Sequence, residues 1–398
     1  MVFRRRTNLD LPDEIVLEIL TRLPVKSLLR FRCVCKSWYS YITNPNFIST
    51  HLNCLLSHNH SYVIYVRRTF PRNYYSSSHS QVCTVSCDRT FERVSKFRIP
   101  FTFQSLSLRL VGSCNGILCL TDYIGPEING VYLWNPSIRK FKKLPDTCLS
   151  CLHFPDLGFG YDSLNNDYKV VRISRSRVKD MIPPLEIEVY TLSSDSWKTI
   201  GLGIPWRPNV VYWEIKCFMP SPFVRGHLHW MMFLLYVEDR GGRERHATHM
   251  ILSFDVNSEK FKELPLPVDE GGCSVIYLTS FKGKLALIKL RYGVQSRDTL
   301  CSIWVMREYG VFDSWNKLCV VPVESTSNII GFTKYVVIQK RPRLVSTNSE
   351  LEREDKSVLI DPETLHENEI SIPVDIYSDL ATHMESLALL DGENVVSY

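Results

Sequence analysis

Apolar residues in the first fifty positions recur at helical spacing, whereas beyond residue 60 they gather into short runs broken by turn residues. Leu11, Ile15, Val16, Ile19, Leu20 and Leu23 follow one another in steps of one, three and four, which places them on one side of a helix. Asp10 stands where an N-cap belongs, Pro12 is tolerated in a first turn, and Asp13 and Glu14 favour the positive end of the helix. Pro24 stops it. Leu28, Leu29, Phe31, Val34, Trp38 and Ile42 form a second pattern, interleaved with Lys26, Arg30, Arg32 and Lys36, until Asn44-Pro45-Asn46 breaks it. The pattern predicts two or three short helices. So small a module cannot bury enough surface to stand comfortably alone. It is either a cap on the following domain or a docking module completed by a partner, and the pattern leaves both open.

From about residue 60 the runs at 62–66, 168–173, 187–190, 275–278 and 335–338 read as strands bounded by Gly, Pro, Asn and Asp. A hairpin with an aromatic opening its second strand recurs. The aromatics are Phe141, Trp197, Phe261 and Trp315, spaced by 56, 64 and 54 residues, and Leu144-Pro145 and Leu264-Pro265 follow two of the copies. Looser copies fall at Phe91 and around Asp361-Pro362-Glu363. Between these hairpins, Asn115-Gly116, Arg225-Gly226 and Lys282-Gly283 each precede a short apolar strand. A period near fifty with about four strands per unit fits propeller blades better than a β-sandwich, which needs no period.

The string LPDEIVLEILTRLPVKSLLRFRCVCKSW at 11–38, continued by Asn44-Pro45-Asn46-Phe47, resembles the F-box motif in the form common among plant F-box proteins. The resemblance implies a module that binds the Skp-type adaptor of an SCF ubiquitin ligase and, through it, cullin. By position, Leu11, Pro12, Ile15, Ile19, Leu23, Pro24, Leu28, Val34 and Trp38 supply the apolar contacts and the helix packing, two roles that the sequence does not separate. VGSCNGILCL at 111–120, LWNPS at 133–137, GFGYD at 158–162, DYKVV at 167–171 and Trp315 resemble the plant F-box-associated domain, similar in look to kelch repeats. The kelch glycine doublet is missing from the expected positions, since Gly241-Gly242 and Gly271-Gly272 fall in loops. MESLALL at 384–390 is similar to endings of S-locus F-box-like proteins.

These resemblances imply an α+β multidomain chain: a small three-helix F-box at 5–52, then a mostly antiparallel, propeller-like all-β domain at 60–395. They imply a non-catalytic receptor that brings a protein target to the ligase for ubiquitination and degradation. The rival class is a β-propeller carbohydrate-binding protein or hydrolase with an unrelated helical cap.

Composition narrows the classes further. Of 398 residues, 44% are hydrophobic and 22% charged, which argues against long disorder. A net charge of +5 is too slight to argue for nucleic acid, and Arg4-Arg5-Arg6 reads as a solvated tail. The longest apolar run, 231–237, is far short of the ~20 residues a bilayer needs, and no signal peptide is visible. A cytoplasmic or nuclear location follows, with no membrane partner. The 13 cysteines then read as free thiols, with Cys148 and Cys151 lacking a second ligand pair for zinc. Asn59-His60-Ser61 is a sequon without meaning there. No catalytic motif or phosphate loop is present, no cofactor is implied, and His227 and His229 read as strand residues before metal ligands. Target recognition is expected on the loops 67–79, 174–185 and 238–249, with Trp206, Tyr212 and Trp213 as anchors or core.

Overall fold

The computed structural model describes residues 11–57, 62–67, 82–88, 90–101, 107–124, 127–147, 153–175, 185–205, 210–215, 219–237, 245–267, 274–292, 298–324, 328–332, 334–340, 356–370, 378–388 and 395–397. Four helices open the chain: α1 (Asp13–Thr21), α2 (Val25–Phe31), α3 (Lys36–Thr43) and α4 (Pro45–Ser57). This is one more than the three expected. Asn44-Pro45-Asn46, read as a terminator, instead starts a helix: the Asn44 side-chain oxygen accepts the Asn46 N–H at 2.8 Å, and Pro45 fills the first position, where no donor is needed.

The rest is β. The first sheet takes β1 (Tyr62–Arg67), β2 (Val82–Cys87) and β3 (Arg93–Arg98). The second takes β4 (Ser107–Cys114), β5 (Ile117–Ile124), β6 (Glu127–Asn135) and β7 (Lys140–Lys143). The third takes β8 (His153–Asp162), β9 (Asp167–Arg175), β10 (Leu185–Thr191) and β11 (Ser196–Ile200). The fourth takes β12 (Val210–Ile215), β13 (Phe223–Val224), β14 (His227–Val237), β15 (Arg245–Asp255) and β16 (Lys260–Leu264). The fifth takes β17 (Ser274–Phe281), β18 (Lys284–Tyr292), β19 (Asp298–Met306) and β20 (Trp315–Glu324). The sixth takes β21 (Asn328–Phe332), β22 (Val336–Lys340), β23 (Lys356–Ile360) and β24 (Glu367–Ile370). The chain then returns, adding β25 (Ser378–His383) to the first sheet beside β1 and β26 (Val395–Ser397) to the second beside β7.

Every described pairing is antiparallel, and neighbouring blades touch in a closed circle: β25 to β4, β8, β14, β17, β21 and back to β25, with β12 and β13 together lying inside β14 as the interrupted inner strand of the fourth blade. The architecture is therefore a six-bladed propeller, clasped where the late strand β25 pairs with the early strand β1, Tyr62 opposite His383. Among the described residues each of the six blade junctions holds its own apolar cluster. Val63 points into the junction with the sixth blade and Ile64 into the junction with the second. Val170 and Val171 divide in the same way between the second and fourth blades. Successive residues alternate across a strand, so both faces are buried and the runs read as continuously apolar.

Turn chemistry explains the aromatic repeat. Asn135, Asp162, Asp255 and Asp361 each accept, through the side chain, the N–H two residues on, at 2.9–3.1 Å. Each turn then closes through a left-handed residue, Arg139, Asn166, Glu259 and Leu365 respectively. After the turns at 135, 255 and 361 the chain enters the outer strand, with Phe141 and Phe261 as its aromatics in the second and fourth blades, whereas the Asp162 turn joins the two inner strands of the third blade.

An even number of antiparallel strands returns the chain to the rim on which each blade began. Hence the short hairpins β4–β5, β6–β7, β8–β9 and their equivalents share one rim. The strands flanking 68–81, 176–184, 238–244, 293–297 and 341–355 end at the opposite rim. The helical module sits on the short-turn rim beside the second blade, where Ile138 of the β6–β7 turn packs against it.

Candidate docking face of the helical module

The helices share one small core. Leu20, Val25, Leu28, Ile42 and Phe47 are buried together, with Val16, Leu17, Leu23, Leu29, Phe31 and Trp38 packed around them. Trp38 meets Phe31 edge-on, centroids 5.3 Å apart. His51 is buried against this core, its Nε2–H donating to the Leu23 carbonyl at 2.8 Å, and burial lowers its pKa. The Cys35 sulfur caps α3 by accepting the Trp38 N–H at 3.4 Å. Tyr41 hydrogen-bonds to Asp13, tying α3 to α1 and raising the phenol pKa.

The core is filled, yet the module keeps a second apolar stripe. Leu11, Ile15 and Ile19, spaced by four, are 59%, 43% and 49% exposed, and Val34 on the α2–α3 turn is 60% exposed. Pro12 and Pro24 are exposed as well. The structure thus sorts the sequence candidates. Leu28 is fully buried and Leu23 and Trp38 are half-buried packing residues, whereas Leu11, Pro12, Ile15, Ile19, Pro24 and Val34 face outward. Tyr39, half exposed with the Arg32 guanidinium 5.2 Å over its ring, joins the exposed apolar residues of the module. The sequence reading missed it because it follows Trp38 directly and so lies off the apolar period. These exposed apolar residues are the candidate docking surface of the module.

A second feature is the central channel, about 690 Å³ of empty space that includes open solvent, lined by β4, β8, β17, β21 and β25 and by residues 219–223 of the fourth blade. Ser113, Ser221, Thr279 and Ser280 give it a hydroxyl lining, and Asp379 ties β25 to β4 by accepting the Leu110 N–H at 2.9 Å. Of the expected anchors, Trp213 is core at 3% exposed, Tyr212 is 42% exposed, and Trp206 lies outside the described residues. So do most of the expected target loops, together with Cys148 and Cys151. His229 is not aimed at a shared metal position with His227. Its Nδ1–H donates to the Pro222 carbonyl at 3.1 Å and its Nε2 accepts the Tyr309 hydroxyl at 2.8 Å, while the His227 ring bonds to the Arg225 carbonyl.

Residues 8–50 match the F-box domain family, and residues 71–388 match the family described as F-box associated beta propeller domain. An F-box/kelch-repeat protein of Arabidopsis thaliana is 29% identical over 324 residues, covering 79% of this chain and 80% of the relative. An F-box protein of the same plant is 30% identical over 333 residues, covering 77% and 72%.

Proposed function

Because this chain belongs to the F-box proteins with an F-box associated beta propeller domain, we propose that it is the substrate-receptor subunit of an SCF-type ubiquitin ligase. The observation that carries the reading is the outward stripe of Leu11, Ile15, Ile19 and Val34, which stays exposed although the helical core, with Leu387 in it, is filled. In this reading the F-box, over 5–52, offers that stripe to a Skp-type adaptor, which brings cullin. The propeller, over 60–395, holds a protein target.

The rim opposite the F-box is the natural target surface. The longer connections leave from it, whereas the near rim carries the short hairpins and the F-box itself. Recognition loops on a rigid scaffold can vary without cost to its cores. The chain then acts by proximity: it raises the concentration of target lysines near ubiquitin chemistry that the ligase supplies. Ubiquitination and degradation of the target follow from that role, in the cytoplasm or nucleus.

The test is capture of a purified Skp-type adaptor by the full chain. Ile15→Asp combined with Ile19→Asp abolishes capture while leaving the propeller folded. Capture as strong as that of the parent chain would sink the docking reading.

A further inference from the structure

The segment following β25 lies between the F-box and the propeller and holds both. Asn135, itself fully buried in the second blade, donates from its side-chain amide to the Ser386 carbonyl at 3.1 Å and to the Ala388 carbonyl at 2.9 Å. The Ala388 N–H is satisfied locally by the Ser386 hydroxyl at 2.8 Å. Gly116, in the β4–β5 turn, lies so close that a Cβ there would stand 2.3 Å from the Ser386 Cβ and 2.8 Å from the Met384 carbonyl. On the propeller side, Ala388 completes the junction between the second and third blades.

The intervening residues turn the other way. Leu387 is 4% exposed and sits in the F-box core with Leu20, Val25, Leu28, Ile42 and Phe47. The Glu385 carboxylate lies beside the Val25 backbone at the start of α2 and faces Lys26. Ser386 and Ala388 therefore grip the second blade while Glu385 and Leu387 grip the helices.

We infer that 384–388 is a strap that locks the F-box onto the short-turn rim in one orientation, so that the docking face and the opposite rim keep a fixed separation. The strap begins one residue after the strand that closes the ring, His383 being paired with Tyr62. Ring closure and mounting of the F-box are thus set by one continuous piece of chain. Its consequence for ubiquitin transfer rests on the receptor reading above; the lock itself does not.

The experiment is electron–electron distance measurement on the full chain, with spin-labelled unnatural residues at 53 on α4 and 365 in the β23–β24 turn, both exposed. The parent chain gives one narrow distance distribution. Leu387→Asp, which forces a charge into the F-box core, and Asn135→Ala, which removes both carbonyl anchors without touching a helix, broaden it to about twice its width or more. Adaptor capture is read in parallel. Asn135→Ala retains it, because the substitution touches none of the exposed stripe residues Leu11, Ile15, Ile19 and Val34, and this variant decides the matter if Leu387→Asp unfolds the helices. A distribution as narrow in Asn135→Ala as in the parent overturns the lock. A parent chain that captures no adaptor but shows the narrow distribution overturns the receptor reading alone.

Discussion

The indole N–H of Trp197, at the start of β11, donates to the carbonyl of Pro145 in the preceding blade at 2.8 Å. Trp315, at the start of β20, makes the same bond to Pro265 at 2.8 Å. The tryptophan copies of the repeated aromatic and the repeated Leu-Pro are therefore two ends of one device, which ties the third blade to the second and the fifth to the fourth. Trp197→Phe and Trp315→Phe each leave a proline carbonyl without its donor and cost about 1–2 kcal/mol. The two sites lie in different junctions, so the double variant costs roughly the sum. Denaturant unfolding measures this; a double variant no weaker than either single one would mean that the two bonds do not act independently.

Leu28 and Ile15 each belong to an apolar period of the helical module yet have opposite fates, one fully buried and one 43% exposed. Leu28→Ala opens a cavity in the F-box core and costs about 2–5 kcal/mol. Ile15→Ala changes stability by less than about 1 kcal/mol, as an exposed site should, and instead weakens adaptor capture. Thermal unfolding and titration calorimetry against the purified adaptor separate the two. Equal stability losses would mean that the stripe is packing surface.

Burial holds the His229 imidazole neutral, with a pKa lowered to about 3, against the opposing pull of its bond to Pro222. Burial lowers His383 to about 4. The unfolded chain takes up protons near pH 6.5 that the folded chain refuses until far lower pH. Stability is therefore greatest above 6.5 and falls as pH drops toward 4.5, by up to about 1.4 kcal/mol per pH unit for each histidine. His229→Asn, whose amide takes the place of Nδ1 and can still donate to Pro222, removes its share of that slope. An unchanged slope in urea titrations between pH 4.5 and 7 would place the protonation elsewhere.

Lys169, 6% exposed, binds Asp162 at 2.7 Å within its blade and Glu259 at 2.9 Å in the next. Burial pushes the Asp162 carboxyl up, but the Asn165 amide and the Lys169 ammonium outweigh it and hold it below the usual carboxylate range. Lys169→Met takes the ammonium away from the buried Asp162, while Glu259 keeps Lys198 at 2.6 Å, and costs about 3–5 kcal/mol. Adding Asp162→Asn recovers part of the loss, because one unpaired charge is gone. Chemical denaturation of the single and double variants checks both steps; a double variant less stable than Lys169→Met contradicts the charge account.

Much of the local structure is legible in the residue pattern. Asp255 and its counterparts make the hairpin turns readable because their side chains bond their own backbone two residues on. Asn44-Pro45 misleads because the same two residues can end one helix and begin another, and only the helical run after Asn46 tells the cases apart. The kelch-like period survives as the Trp–Pro device, without the glycine doublet.

The sequence by itself determined the helical module, the strand-and-turn texture, the repeat near fifty residues and, by resemblance, the F-box. Tertiary structure alone decided the ring of six blades, which candidates face outward, and the strap through Ser386 and Leu387. The reason is the range of the contacts. A turn or a helix stripe is set by residues a few positions apart, and their chemistry can be read in place. Ring closure pairs Tyr62 with His383, and the F-box core borrows Leu387. No local period can show that an apolar residue near the end of the chain completes a core near its beginning, nor that Ile15 finds no such neighbour.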